Sequence, residues 1–158
     1  MVFSEGKFNE ALELMKNQIL KIVIAIPARL ESKRLPNKVM QEIGDKLIIE
    51  WVLTQCRDIK DICETVLCTD SEKLLNISAK LGFKSIKTKK ECDSGTDRIA
   101  SGIHKLMDLA WGEDSLNWEK QTSRKRFEQT LIINVQGDQP FIDPKIISKL
   151  IDEFKKSE

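Results

Sequence analysis

The sequence is poor in histidine and in closely spaced cysteines, the residues that build most zinc sites. It contains one histidine, His104, and four cysteines without Cys-x-x-Cys spacing: Cys56, Cys63, Cys68 and Cys92. Because zinc needs several clustered nitrogen or sulfur ligands, this composition argues against a zinc site. The cysteines are instead predicted to be buried free thiols of a protein in a reducing cytoplasm.

Long hydrophobic runs and an excess of one charge are also missing. No apolar stretch approaches about 18 residues, and the amino terminus lacks the basic and apolar regions of a signal peptide. The 26 basic and 25 acidic residues give a formal net charge of +1, so no overall field favours nucleic acid or an anionic membrane. The expectation is a soluble, cytoplasmic, single-domain protein in which any anion site is local.

What is present is an alternation of apolar runs and helical periodicities. Four segments read as strands and, after a leading amphipathic helix, four more read as helices, which predicts an α/β fold with a parallel, doubly wound sheet. Residues 7–20 form an amphipathic stripe that either packs on its own domain or docks a partner. Residues 111–129 show no steady period and are predicted to be a long loop. The predicted strands begin near residues 22, 64, 83 and 130, and the predicted helices near residues 45, 71, 94 and 144.

The first predicted strand, residues 22–26, ends at Pro27 and is followed by a cluster of cations. Loops at the carboxyl ends of parallel strands bind ligands in open α/β folds, so these cations are placed to face an anionic ligand. The alternative is a solvated loop, since such side chains are normally exposed. The cations are Arg29, Lys33, Arg34 and Lys38.

Two further segments carry polar residues at predicted element ends. Ser94, Gly95 and Thr96 open a helix, where they either bind a ligand or only cap the helix. Asp138 follows a buried strand, where its carboxylate either holds Mg²⁺ or belongs to a plain turn. Gly137 beside it would let the backbone come close to a ligand.

Together the three segments resemble the CMP-Kdo synthetase family, the cytidylyltransferases that activate 3-deoxy-manno-octulosonate (Kdo) for lipopolysaccharide. The matching stretches are IPARLESKRLPNK, SGTDRIA and NVQGDQPFI. The resemblance implies a Rossmann-like nucleotide-diphospho-sugar transferase fold with a mainly parallel sheet, CTP and a Kdo-like sugar as substrates, and Mg²⁺ as cofactor. It covers roughly residues 21–158 as the nucleotide-binding part, with residues 1–20 as a helical extension. The acceptor is left open between Kdo and a close 2-keto acid sugar.

The resemblance also assigns roles to individual residues. It implies that Arg29 and Lys38 hold the triphosphate, and that Asp138 binds the metal. Arg34 is either a phosphate contact or a surface charge. Ser94 and Gln136 are expected to contact the cytidine end of the nucleotide. The full set of remaining matched positions near the nucleotide is Lys89, Ser94, Gly95, Thr96 and Gln136.

The sequence also departs from the pattern of that family. Asn37 stands where the loop usually has glycine, Gln139 where glutamate is frequent, and Lys89 replaces an arginine. Chains of the family continue past residue 158, so the expectation is that the sugar contacts, a second metal-binding aspartate and the segment that forms the family's homodimer are missing. Two alternatives follow, a CTP-binding remnant without turnover and an interaction module.

Overall fold

The computed structural model describes Gly6 and residues 21–32, 35–112 and 121–157. Its strands are β1 (Lys21–Pro27), β2 (Glu42–Ile43), β3 (Lys46–Leu47), β4 (Glu64–Thr69), β5 (Lys84–Lys87) and β6 (Thr130–Asn134). Four of them form one sheet in the order β5-β4-β1-β6, and every neighbouring pair is parallel. The predicted α/β fold with a mainly parallel sheet is therefore confirmed.

Six helices lie among the described residues. They are α1 (Ile48–Cys56), α2 (Glu72–Lys80), α3 (Gly95–Ser101), α4 (Ile103–Trp111), α5 (Gln121–Glu128) and α6 (Pro144–Ser157), and a 3-10 turn spans Lys38–Met40. The start of α2 is capped as predicted, since Ser71 Oγ accepts a hydrogen bond from Leu74 N at 3.4 Å. Its end is followed by Gly82 at φ 77°, a backbone conformation that glycine adopts without strain. None of these helices is long and apolar enough to cross a membrane.

Strand β1 is buried on both faces, which explains why every residue from Ile22 to Ile26 is apolar. Alternate side chains of the strand point to opposite faces of the sheet and enter two separate cores. One core joins Ile22, Ile24 and Ile26 to helices α1 and α6, and the other joins Val23 and Ala25 to helices α3 and α4. The sheet is thus the middle layer between two layers of helices.

Several elements of this fold differ from those predicted from the sequence. The segment 111–129 is not a continuous loop, because its described part contains α5, where Arg124 and Glu128 form an ion pair at 3.1 Å across one helical turn. Helix periodicity was hidden there by the high charge of the segment. The short hairpin of β2 and β3 was also missed, and α1 begins at Ile48 instead of residue 45. The predicted helix over residues 7–20 lies outside the described residues.

The single helix predicted from residue 94 to residue 110 is two helices, α3 and α4, separated at Gly102. A Cβ atom at Gly102 would lie 2.5 Å from Ile86 Cδ1, so the chain passes very close to β5 at this point. A side chain at this junction would displace the end of the Ile86 side chain, so packing favours glycine between α3 and α4.

Candidate active site

The order of the strands creates a crevice beside the carboxyl end of β1. From β1 the chain builds β4 and then β5 on one side of the sheet, whereas β6 is added on the other side. Such a reversal of strand order separates the loops that follow two adjacent parallel strands and leaves room for a ligand between them. The loops after β1 and β6 flank this crevice.

A cleft of about 190 Å³ occupies this position. Its walls come from three separate parts of the chain: the loop after β1, the start of α3, and the loop after β6. The residues that line it are Pro27, Ala28, Arg29, Ser32, Lys38, Val39, Cys92, Ser94, Gly95, Arg98, Gln136, Gly137 and Asp138. The three segments singled out in the sequence therefore meet at one site.

Most of the predicted site residues lie in this cleft. Arg29, Lys38, Ser94, Gly95, Gln136 and Asp138 all line it. Lys89 and Thr96 are exposed and do not line it. Arg34 lies outside the described residues.

The loop after β1 is closed by hydrogen bonds that place Lys38. Asn37 N donates to Leu30 O at 2.8 Å, which brings the two ends of the loop together. Asn37 itself has φ 56°, in the left-handed region that glycine adopts freely and that asparagine tolerates better than most residues. The Lys38 ammonium then reaches across the cleft to Asp138 Oδ2 at 2.8 Å.

The loop after β6 runs close to the end of β1. Gly137 N donates to Pro27 O at 3.2 Å, and a Cβ atom at Gly137 would lie 3.0 Å from that carbonyl oxygen and from Ala28 Cβ. On the far side, Gln55 Nε2 donates to Pro140 O at 2.7 Å. The loop that carries Asp138 is therefore held from both the sheet and α1.

Ser94 acts as a helix cap at the edge of the cleft. Its Oγ accepts from Asp97 N at 3.1 Å and donates to Asp97 Oδ2 at 2.7 Å. The capping interpretation is thus observed, and the same residue lines the cleft. The following Gly95 supports the opposite wall, because a Cβ atom there would lie 2.9 Å from both amide atoms of Gln136.

Arg98 lines the cleft and was not singled out from the sequence. It is only 3% exposed, and its guanidinium lies 2.9 Å from Asp70 Oδ1. It also donates to Thr88 Oγ1 at 2.7 Å and to Lys89 O at 2.9 Å. One arginine therefore joins α3 to the carboxyl ends of β4 and β5. The available signal was that Asp70 and Thr88 are the last residues of two predicted strands and so lie at this sheet edge.

Comparison with known proteins gives a consistent set of relatives. The cytidylyltransferase family matches residues 22–158. A 3-deoxy-manno-octulosonate cytidylyltransferase of Rickettsia typhi is 38% identical over 144 residues, which cover 91% of this chain and 52% of that protein. The chain spans about half the length of the curated relatives it matches.

Two solved structures extend the comparison to three dimensions. A CMP:2-keto-3-deoxy-manno-octonic acid synthetase complexed with CTP superimposes with a TM-score of 0.66 at 28% identity, covering 86% of this chain and 48% of that one. A cytidylyltransferase of Leptospira borgpetersenii gives a TM-score of 0.60 at 26% identity, covering 85% and 49%. The family match over residues 22–158 includes the four-stranded sheet and the segments that form the cleft.

Proposed function

Because this chain belongs to the cytidylyltransferase family, we propose that it binds CTP in the cleft and serves the transfer of CMP to a Kdo-like 2-keto sugar acid, with release of pyrophosphate. The observation that carries the proposal is the convergence of Arg29, Lys38, Gln136 and Asp138 on one cleft. The acceptor is inferred from the names of the relatives, and the product would be the activated sugar for lipopolysaccharide.

Arg29 and Lys38 would bind the triphosphate. The nucleotide is strongly anionic, and negative charge grows on the departing pyrophosphate while the sugar hydroxyl attacks the α-phosphorus. Cations fixed beside that charge stabilise the transition state more than the ground state. Lys38 is half-buried and directly follows Asn37, which closes the loop by its hydrogen bond to Leu30, whereas Arg29 is exposed. Lys38 is therefore the better fixed of the two.

Gln136 and Ser94 would contact the cytidine end of the nucleotide. Both line the cleft, Ser94 at the start of α3 and Gln136 in the loop after β6. A site whose polar groups match cytosine leaves those groups unpaired when another base enters, which costs affinity. This wall is therefore expected to select the base.

Asp138 fits a role in holding Mg²⁺. Magnesium typically takes one or two protein carboxylates and completes its shell with water and phosphate oxygens, and Asp138 is the carboxylate that lines the cleft. Among the described residues no group of three or more acidic, histidine or cysteine side chains could hold a metal. The bound ion would neutralise phosphate charge. Asp138 would orient it from the protein side.

The four cysteines fit a protein of the cytoplasm. All four are free thiols, as predicted, but only Cys56 and Cys68 are buried; the predicted burial is wrong for Cys63, which is exposed, and for Cys92, which is only partly buried. Thiols stay reduced in that compartment, where glutathione and thioredoxin act. We place the CTP-dependent reaction there for the same reason.

Isothermal calorimetry with CTP and Mg²⁺ tests the proposal. CTP should bind more tightly than ATP or GTP, and Lys38→Ala should weaken CTP binding by about 1–3 kcal/mol, the range for hydrogen bonds to charged groups. Lys149→Ala is the matched control, because Lys149 is exposed on α6 and does not line the cleft. Equal affinities for the three nucleotides, or equal losses in the two variants, would contradict the assigned site.

A further inference from the structure

The side-chain amide of Gln136 is held in one orientation by its neighbours. Its Nε2 donates to Asn134 Oδ1 at 2.8 Å. No hydrogen bond between described residues ends at its Oε1. A Cβ atom added to Gly95 would lie 2.9 Å from each of the two amide atoms. The amide therefore packs flat against Gly95, with its donor end occupied and its acceptor end available.

Asn134 is in turn held from its other side. Its Nδ2 donates to Thr96 Oγ1 at 3.3 Å, so its Oδ1 is the end that remains to accept from Gln136. Asn134 is the last residue of β6, and its backbone is in register with Ala25 of β1. The chain of contacts runs from the first turn of α3, through Asn134, to the cleft wall at Gln136.

We propose that Asn134 is a positioning residue that selects cytosine over uracil by fixing which end of the Gln136 amide faces the base. Asn134 itself does not line the cleft. The inference rests on the proposed function, because it assumes that a pyrimidine nucleotide occupies this cleft. To the proposed function it adds the role of Asn134 and the orientation of the Gln136 amide, whose Oε1 faces the base as an acceptor.

The direction of the amide decides the choice of base because the two pyrimidines differ at N3, which carries a proton only in uracil, and at the exocyclic group on C4, which Gln136 would face. Cytosine carries an amino group there, which donates, whereas uracil carries a carbonyl oxygen, which accepts. An acceptor at Gln136 pairs with the amino group and leaves the carbonyl of uracil facing another oxygen. Without Asn134 the amide can rotate and offer Nε2 instead, since the two ends of an amide have nearly the same shape.

The test compares CTP with UTP by calorimetry in three proteins. The wild type should prefer CTP, and Asn134→Ala should reduce the ratio of the two affinities by about tenfold, equivalent to about 1.4 kcal/mol. Asn134→Asp should keep the preference, because a carboxylate can only accept and still engages Nε2. Its added charge repels both triphosphates alike and cancels in the ratio. An unchanged ratio in Asn134→Ala, with both affinities lowered equally, would show a merely structural role and overturn the inference.

A second measurement needs no nucleotide and separates this inference from the proposed function. In two-dimensional ¹H–¹⁵N spectra of the free protein, the side-chain amide protons of Gln136 should move upfield in Asn134→Ala and stay near their wild-type position in Asn134→Asp. An unchanged Gln136 signal in Asn134→Ala would refute the hydrogen bond whatever CTP does. Failure of the wild type to bind CTP, with the expected amide shift, would instead refute the proposed function and with it the role in base choice.

Discussion

The Lys38 ammonium lies 2.8 Å from the Asp138 carboxylate, although 100 residues separate the two in the chain. Each side chain is 42% exposed, and a pair this exposed contributes only about 0–1 kcal/mol to stability. The contact is therefore easily exchanged for a ligand. A phosphate group would pair with the Lys38 ammonium and a metal ion would bind the Asp138 carboxylate once this ion pair opens. The ion pair therefore links the binding of the phosphate to the binding of the metal ion.

We predict that Mg²⁺ and CTP bind cooperatively for this reason. With Mg²⁺ at Asp138 as proposed, Lys38 would compete with the ion in the free protein, so Lys38→Gln should bind Mg²⁺ alone more tightly than the wild type does. Calorimetric titration with MgCl₂ in the absence of nucleotide measures the difference. Asp138→Asn is the control, because it removes the carboxylate and should abolish the gain when combined with Lys38→Gln. Equal Mg²⁺ affinity in wild type and Lys38→Gln would argue against this competition.

The sequence predicted the parts of the site that depend on local pattern. The β-branched run that ends at Pro27 identified the central strand, and the loops after strands identified the ligand edge. Even a departure from the family pattern has a local reason: Asn37 occupies the usual glycine position at φ 56°. Asparagine is among the non-glycine residues that most often adopt this conformation, so the loop keeps its course.

The sequence could not predict contacts between distant segments. Nothing in the pattern around Lys38 or Asp138 shows that they pair, because that contact depends on how two loops after adjacent strands are oriented. The burial of Arg98 was hidden for a similar reason, since an arginine in a short helix normally points to solvent. Helix α5 was missed because it is stabilised locally by charged side chains and not by an apolar stripe.

Arg98 is predicted to be a principal support of the cleft. Arg98→Met should destabilise the protein by about 3–5 kcal/mol, the usual cost of removing one partner of a buried ion pair. Arg98→Lys keeps the charge but loses the planar guanidinium, whose Nη1 contacts Asp70 and Thr88 and whose Nη2 donates to Lys90 O, so it should lie between wild type and Arg98→Met. Urea denaturation followed by circular dichroism measures all three. The exposed Arg124, paired only with Glu128, provides the control: Arg124→Met should change stability by less than about 1 kcal/mol.

Gly95→Ala is predicted to damage both stability and nucleotide binding. The new methyl group would lie 2.9 Å from the Gln136 amide and from Pro27 Cγ, and such overpacking costs about 1–3 kcal/mol. The helix gain of alanine over glycine, about 0.5–1 kcal/mol, does not offset that cost. Thermal unfolding and CTP calorimetry measure the two effects. Gly6→Ala is the control, because nothing lies within 4 Å of its Cβ position; equal behaviour of the two variants would refute the close packing.

Two buried thiols should make the protein less stable in alkali. Burial raises the pKa of Cys56 from 9.0 to about 11. It raises the pKa of Cys68 to about 12, with the nearby Arg98 partly opposing the rise. Above pH 9 the unfolded chain therefore loses these protons while the folded protein keeps them. Stability is complete below pH 9 and falls as pH rises, by about 1.4 kcal/mol per pH unit for each thiol, levelling off for Cys56 above about pH 11.

The free energy of unfolding in urea, measured from pH 8 to pH 11, tests this dependence. The comparison is with Cys56→Ala and Cys68→Ala, each of which removes one thiol and leaves every other ionisable side chain in place. Both variants are less stable than the wild type at pH 8, because each leaves a small cavity. Their slopes against pH should nevertheless be shallower, since one proton fewer distinguishes the folded from the unfolded state. Parallel slopes in all three proteins would mean that neither thiol titrates differently on folding.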